Sequence, residues 1–263
     1  MPAIHVLNLN IWNYNAPWPE RRRLIIDLIR QTQPDVVALE EVRYQDWLNT
    51  RHQADQILTG LTGYDAVWQP AAYWPRGQES NQGQQWEGLA ILSRHPIVDQ
   101  AMTRLSRDPG DPHNHFDRLV MGAQIRTPAN PFWLFVTHFP LSAQARERAA
   151  PIAADFVVRT AGELPLVFTG DLNALPSTPP IQFLTGQRDI NGKHSPLQDA
   201  WTMCHPDRNG NTFPAWGPHK RIDYMFVSPN IEVHRIEIVG AVNSRDIVSP
   251  SDHCGLLATL QIE

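Results

Sequence analysis

Apolar positions cluster along this chain in short runs that alternate with one amphipathic stretch and then with a long series of strand-like segments. Residues 3–11, Ala-Ile-His-Val-Leu-Asn-Leu-Asn-Ile, read as a strand buried on both faces. Pro19 then opens a helix in which Leu24, Ile25, Leu28 and Ile29 share a face, and after Pro34 comes a second apolar run, Val36–Val42, with Glu40-Glu41 near its end. This is a β-α-β opening. The pattern next predicts a helix over roughly 46–60 and strands at about 64–68, 88–93, 97–105, 117–126 and 132–137, a strand-rich middle with short turns. Helical sequence returns at 142–161, interrupted by Pro151. A strand at 165–169, a Pro-rich turn, short helices near 180 and 198, and strands at 221–227, 231–240 and 255–262 complete the chain. Such an order suits two packed sheets with helices outside.

With 263 residues, 42% of them apolar, the chain can bury a substantial core. It shows no repeat or linker-like composition, and motif-bearing segments come from both ends, so one domain over residues 1–263 is expected. No apolar stretch approaches membrane-spanning length and strand-like sequence begins at once, which reads as a soluble, cytoplasmic monomer. Cys204 and Cys254 are too isolated for a disulfide framework or a thiolate metal site. The net charge of −5 supplies no broad cationic footprint for polyanions, so a phosphate substrate would need a bound cation.

Candidate chemistry sits where the apolar runs end. Glu41 closes the second run much as Asn10 closes the first, and a carboxylate emerging beside an amide suits magnesium (Mg²⁺), which takes oxygen ligands and few protein carboxylates; a solvated strand end is the plain alternative. Gly170-Asp171-Leu172-Asn173 follows Leu166–Thr169, so Asp171 and Asn173 face one side of an extended chain. There Asp171 could accept a proton from an attacking water while Asn173 donates to hydroxide or a phosphate oxygen, unless the segment is a self-capping turn. Arg221 and Asp223 share a strand face, and Asp223 is what His253, in Ser251-Asp252-His253, needs to fix its tautomer. His138, ending Phe132–His138, offers a second imidazole.

The ordered set Leu-Asn-Leu-Asn10, Pro34-Asp-Val-Val-Ala-Leu-Glu-Glu41-Val, Gly88-Leu-Ala-Ile-Leu-Ser-Arg94, Thr137-His138, Gly170-Asp171-Leu-Asn173-Ala, Arg221-Ile-Asp223-Tyr and Ser251-Asp252-His253 resembles the endonuclease/exonuclease/phosphatase superfamily. The resemblance spans nearly the whole chain. It implies an α/β fold, a four-layer sandwich of two mixed sheets flanked by helices, and a divalent-metal phosphoric ester hydrolase using Mg²⁺ or Mn²⁺. It also implies Glu41 as principal metal ligand with Asn10 and Asp252 nearby. Asp171 and Asn173 would position water and phosphate, and Asp223 would partner His253 at the scissile phosphate. Glu40 stands where Gln is usual, and Trp12 where abasic-site enzymes carry Asp. Thr137-His138 is similar to the deoxyribonuclease and sphingomyelinase branch, in which Arg43 would contact phosphate and Glu87 would pair with His138. Arg118 enters its strand as a structural or phosphate-facing group.

The substrate expected is a phosphodiester, with nucleic acid or a nucleotide favoured over a phospholipid and with a catalytically silent binding domain as the contrasting reading. Trp12, Tyr14, Trp18, Tyr73, Trp74 and Trp86 are expected on loops at the rim, where rings could stack on bases, pack on sugars or meet lipid. His113 and His115 lie in a second loop, Asp108–Arg118, and are read as ordinary polar residues.

Overall fold

The computed structural model describes residues 3–75, 84–242 and 248–262. Two six-stranded sheets pack face to face. The first is built from β1 (Ile4–Asn10), β2 (Val36–Gln45), β3 (Asp65–Pro75), β4 (Gln84–Ser93), β11 (Ile231–Val239) and β12 (Gly255–Ile262), in the order β11-β12-β1-β2-β4-β3. The second contains β5 (Ile97–Leu105), β6 (Arg118–Arg126), β7 (Pro131–His138), β8 (Leu166–Asp171), β9 (Gln198–Asp199) and β10 (Asp223–Val227), in the order β5-β6-β7-β8-β10-β9. Each sheet has a parallel pair at its centre, β1 with β2 and β7 with β8, joined by the helices α1 (Trp18–Thr32) and α3 (Ala143–Ala161). α2 (Gln53–Leu58) lies beside α1, α4 (Pro179–Leu184) beside α3, and α5 (Ala200–Cys204) follows β9.

Strand alternation divides the core into three apolar layers. Ile4, Val6, Val36 and Ala38 of the first sheet meet Leu134, Val136, Val167 and Met225 of the second. The opposite faces are covered outside: Leu7, Leu9 and Val37 by Ile25 and Ile29 of α1, and Phe135, Phe168 and Phe226 by the alanine-rich face of α3. The result is the four-layer α/β sandwich expected. α1 ends where Gln33 turns left-handed (φ 46°) and donates its N–H to the Ile29 carbonyl at 2.9 Å, just before Pro34.

Several elements depart from the pattern. The helix expected over 46–60 is reduced to the six residues of α2, because a turn at 46–48 and non-helical backbone up to His52 follow β2. α3 is continuous through Pro151, whose ring is buried within the helix rather than ending it. The stretch expected as an aromatic loop before Glu87 is largely the β3-β4 hairpin, with residues 76–83 and the Trp74 side chain outside the described part. β10 starts at Asp223, which leaves Arg221 ahead of the strand.

Two local irregularities aim the functional side chains. The β2-β4 register slips between Leu39 and Val42, and Glu41 takes a left-handed φ of 55°. This bulge leaves Glu40 on the inner face, fully buried, while Glu41 turns to the cleft described below. The Asn8 amide donates to Glu40 Oε1, while Glu40 Oε2 and Asn8 Oδ1 have no hydrogen-bond partner among the described residues. Burial, with Asp223 and Asp171 nearby, holds the Glu40 carboxyl well above its usual range, so a neutral acid fills the glutamine-like position. In β8, Gly170 has φ 149°, and a Cβ there would lie 1.9 Å from the Thr137 carbonyl oxygen. Glycine lets β7 and β8 close so that His138 stands directly opposite Asp171.

Glu40→Gln keeps the pair with Asn8 and removes the ionisable group. Because the folded state holds this acid neutral, wild-type stability falls relative to the variant as pH rises through the ordinary value near 4.5. Urea unfolding is expected to show the variant equal to wild type near pH 4 and more stable than wild type at pH 8; an equal or less stable variant at pH 8 refutes the neutral acid. Gly170→Ala is expected to cost about 3 kcal/mol or more by the same assay, and a loss below ~1 kcal/mol would show that the strands can part without penalty.

Candidate active site

At one end of the sandwich the inner faces change from apolar to polar. Along β1 the inward series Ile4, Val6 continues as Asn8 and Asn10; along β2, Val36 and Ala38 lead to Glu40. Across the gap, β7 ends inward at His138, β8 at Asp171, and β10 begins at Asp223. Register sets these three side by side, Asp171 pairing with both neighbours. Asn10 closes the gap, its amide donating to Asp171 Oδ2 at 3.2 Å.

His253 joins the row from the segment before β12. Its Nδ1 lies 2.9 Å from Asp223 Oδ2, and its Nε2 lies 3.7 Å from Asp171 Oδ2. Burial opposes protonation of this imidazole, but Asp223 and Asp171 outweigh it and raise its pKa well above normal. Burial raises the Asp171 carboxyl to about 7, against the opposing pull of His253 and with support from Asp223. His138 differs: burial, Arg118 and His253 together push it well below its usual value. Arg118 Nη1 sits 3.1 Å from His138 Nδ1, and since a guanidinium can only donate, the His138 proton resides on Nε2, 3.4 Å from Asp171 Oδ2.

Glu41 is held by two amides, Asn10 Nδ2 at 3.2 Å on Oε1 and Asn13 Nδ2 at 2.8 Å on Oε2. Its carboxyl is raised by burial and by Glu87 and Asp252, and burial raises Asp252 as well. Glu41 and Asp252, each pushed up by burial, offer oxygen donors that fit a hard divalent cation. The ligand atoms of Asp171, Asp223 and His253 also lie within 4.8 Å of one another, and there the imidazolium between the two carboxylates offsets one of their two charges.

A cleft of about 530 Å³ collects these groups. Glu41, Arg43, Glu87, Arg118, His138, Asp171, Asn173, Asp252 and His253 line it, whereas Asn10 and Asp223 stand behind the wall. Asn10 differs from expectation in its chemistry. Its Oδ1 accepts the Trp12 N–H at 2.9 Å, so its NH₂, rather than an oxygen ligand, faces Glu41 and Asp171. Asn173 is left-handed (φ 49°); its N–H donates to Asp171 Oδ1 and its side-chain amide to the Phe139 carbonyl, so turn and cleft positions coincide. Glu87 reaches His138 through Arg118 rather than directly: it accepts from Arg43 at 2.6 Å and from Arg118 at 3.4 Å. Arg221 does not share a wet face with Asp223. It is buried, bonded to Asp199 at 2.5 Å and stacked over Tyr224.

Some contributors carry no separate sequence signal. Thr212 donates to Asp223 Oδ2 from a loop eleven residues earlier, and Asn13 reads as an ordinary loop residue. Lys220, Phe213 and Ile222 line the cleft, with Leu141 and Leu175 exposed at its mouth. The aromatic rim is smaller than expected: Trp86 is buried in a stack with Trp68 and Tyr44, and Trp18 packs edge-on against Tyr14. His113 and His115 are exposed.

In sequence the chain is similar to nocturnin of Drosophila melanogaster, 23% identical over 93% of this chain and 42% of that protein. It is also 24% identical to a putative neutral sphingomyelinase of Caenorhabditis elegans, over 99% of this chain and 67% of the other. The chain thus spans less than half the length of the first relative. An endonuclease/exonuclease/phosphatase structure from Bacteroides vulgatus shares the fold with a TM-score of 0.75 and 20% identity, covering 100% of both chains. Residues 7–253, which carry every cleft group discussed, match the family described as Endonuclease/Exonuclease/phosphatase family. The chain belongs to the endonuclease/exonuclease/phosphatase family, whose members are hydrolases acting on phosphoester bonds.

Proposed function

We infer that this protein is a divalent-cation-dependent phosphodiesterase that cleaves nucleotides or short nucleic acids by in-line attack of water. The observation that carries the reading is the meeting of the oxygen donors Glu41 and Asp252 with the buried row Asp223–His253–Asp171 in one cleft. Glu41 and Asp252 would hold Mg²⁺ or Mn²⁺, with Asn10 and Asn13 fixing the Glu41 carboxylate. When bound, such a cation supplies charge neutralisation at the phosphate oxygens.

Asp171, with a pKa near 7, is suited to take the proton from the attacking water close to neutral pH. Asp223 holds His253 as an imidazolium whose Nε2–H is available to a phosphate oxygen as charge develops. The neutral His138, fixed in its Nε2–H form by Arg118, adds a second donor beside Asp171. Asn173 orients Asp171 through its backbone N–H. Arg43 and Arg118 are bridged by Glu87, so their charge is shared and the cleft suits one phosphodiester better than a run of phosphates. Phe213 and Ile222 offer an apolar wall for a base or sugar.

A phospholipid diester is the second reading, favoured by Leu141 and Leu175 exposed at the mouth and by the worm relative's name.

Glu41→Gln is expected to abolish the Mg²⁺-induced rise in Tm and to lower kcat/KM for bis(p-nitrophenyl) phosphate by about 10²-fold or more, and His253→Ala by about 10²–10⁴-fold. Unchanged hydrolysis in Glu41→Gln would remove that residue from the centre, and unchanged hydrolysis in His253→Ala would remove the imidazole from the chemistry. Side-by-side assays of single- and double-stranded DNA, RNA, dinucleotides and choline or inositol phosphodiesters with Mg²⁺, Mn²⁺ and Ca²⁺ are expected to show turnover of the nucleotides; hydrolysis confined to lipids establishes the second reading instead.

A further inference from the structure

Arg21 lies on α1, facing inward, and is 1% exposed. Its guanidinium is spent on backbone. Nε donates to the Asn15 carbonyl at 3.1 Å; Nη1 to Ile11 at 2.7 Å and Pro250 at 3.1 Å; Nη2 to Ile11 at 3.0 Å, Trp12 at 3.1 Å and Asn13 at 2.7 Å. Burying a guanidinium is costly unless its donors are satisfied, and an apolar residue would fill the same helix face without that cost. What the guanidinium does that an apolar side chain cannot is gather five carbonyls from two separate segments.

Those segments are the ones that carry the cleft carboxylates and their supports. Trp12 and Asn13 have left-handed φ values of 55° and 34°, a conformation unfavourable for a side chain as bulky as tryptophan, and their consecutive carbonyls turn toward Arg21. From the same loop, Asn13 Nδ2 donates to Glu41 Oε2 at 2.8 Å, and the Trp12 N–H fixes Asn10, whose amide donates to Glu41 Oε1 and Asp171 Oδ2. On the other segment, Pro250 precedes Ser251, whose hydroxyl donates to the Asn10 carbonyl at 2.6 Å, and then Asp252. The routes through Asn13, through Trp12 to Asn10, and through Pro250 to Ser251 lead to Glu41, Asp171 and Asp252.

We propose that Arg21 is a positioning residue for cation binding: it touches no substrate, and by clamping the 11–15 loop to Pro250 it sets Glu41 and Asp252 relative to one another. This rests on the reading of those two carboxylates as the cation ligands. Lysine cannot take over the whole task, because an ammonium carries three donors on one atom and cannot reach all five carbonyls, which the guanidinium engages from three separate nitrogens.

The test is Mn²⁺ binding to the purified full chain by titration calorimetry, with Tm measured alongside. Arg21→Lys is expected to weaken Mn²⁺ binding by about 10–100-fold, the loss typical of groups that hold a metal's ligands, while saturating Mg²⁺ restores most of kcat. Asn13→Ala is expected to weaken binding similarly, and the double variant to lose less than the sum of the two. An Arg21→Lys protein with lowered Tm but wild-type Mn²⁺ affinity overturns the proposal, leaving Arg21 a support of the fold. Should Arg21→Lys fail to fold, wild-type affinity in Asn13→Ala overturns it equally. Wild-type protein that binds no Mn²⁺ overturns the ligand assignment and this inference together, so the two failures are told apart.

Discussion

The site depends on keeping one carboxylate, Asp171, ionisable at 2% exposure. A charge taken that far from water costs several kcal/mol unless its surroundings compensate, and here the compensation comes from both sheets at once. Asp171 Oδ2 faces His138, His253 and Asn10, while Oδ1 accepts the Asn173 N–H. None of these donors is local except Asn173. They arrive because β7 lies beside β8 in fixed register, because β1 packs across the gap, and because Asp223 of β10 holds His253 from the segment before β12, so the apolar interior that locks the sheets together also sets the charge state of Asp171.

Two buried histidines beside the same aspartate end in opposite states, which shows how far immediate neighbours outweigh position. Burial favours the neutral form for both. At His253 the neighbour on Nδ1 is Asp223, and its carboxylate, reinforced by Thr212, keeps the ring protonated. At His138 the neighbour on Nδ1 is Arg118, which forces an acceptor there and a neutral ring. A cation-like donor and a neutral donor therefore stand on the two sides of Asp171. Burial, with Asp223 and Glu41, pushes the Asp171 carboxyl up while His253 and the Asn173 N–H pull it back, and the result stands at about 7.

What was legible in the sequence was whatever depends on period and on run ends. β1, β2, β7 and β8 are apolar on both faces, so their ends stood out, and Asn10, Glu41, His138 and Asp171 were visible as polar residues placed there. The glycine before Asp171 was part of the same signal, although its reason, the approach of the Thr137 carbonyl, is a tertiary fact. The bulge that separates Glu40 from Glu41 was not legible, since the slip is a property of pairing with β4. Nor was the fate of Arg221, which reads as a strand residue but pairs with Asp199 at the end of β9. Trp86 illustrates the same limit: a ring in polar sequence looks like a rim residue until Trp68 and Tyr44 are seen to cover it.

Backbone strain follows the same geography. Among the described residues, six non-glycine positions have left-handed φ; Gln33 and Asn191 lie at a helix end and a turn away from the cleft, and the other four, Trp12, Asn13, Glu41 and Asn173, lie in or directly behind its wall. Each such residue costs roughly 1–3 kcal/mol and persists only where the surroundings over-determine it. The over-determination is visible for each: Arg21 holds the Trp12 and Asn13 carbonyls, the β2-β4 pairing resumes on both sides of Glu41, and Asn173 is pinned by Asp171 and Phe139. The strain therefore lies in the backbone that aims the side chains, and the rigid sandwich behind it keeps them aimed. A site built in this way has its orientation set by folding, so the free energy of binding substrate need not be spent on assembling it.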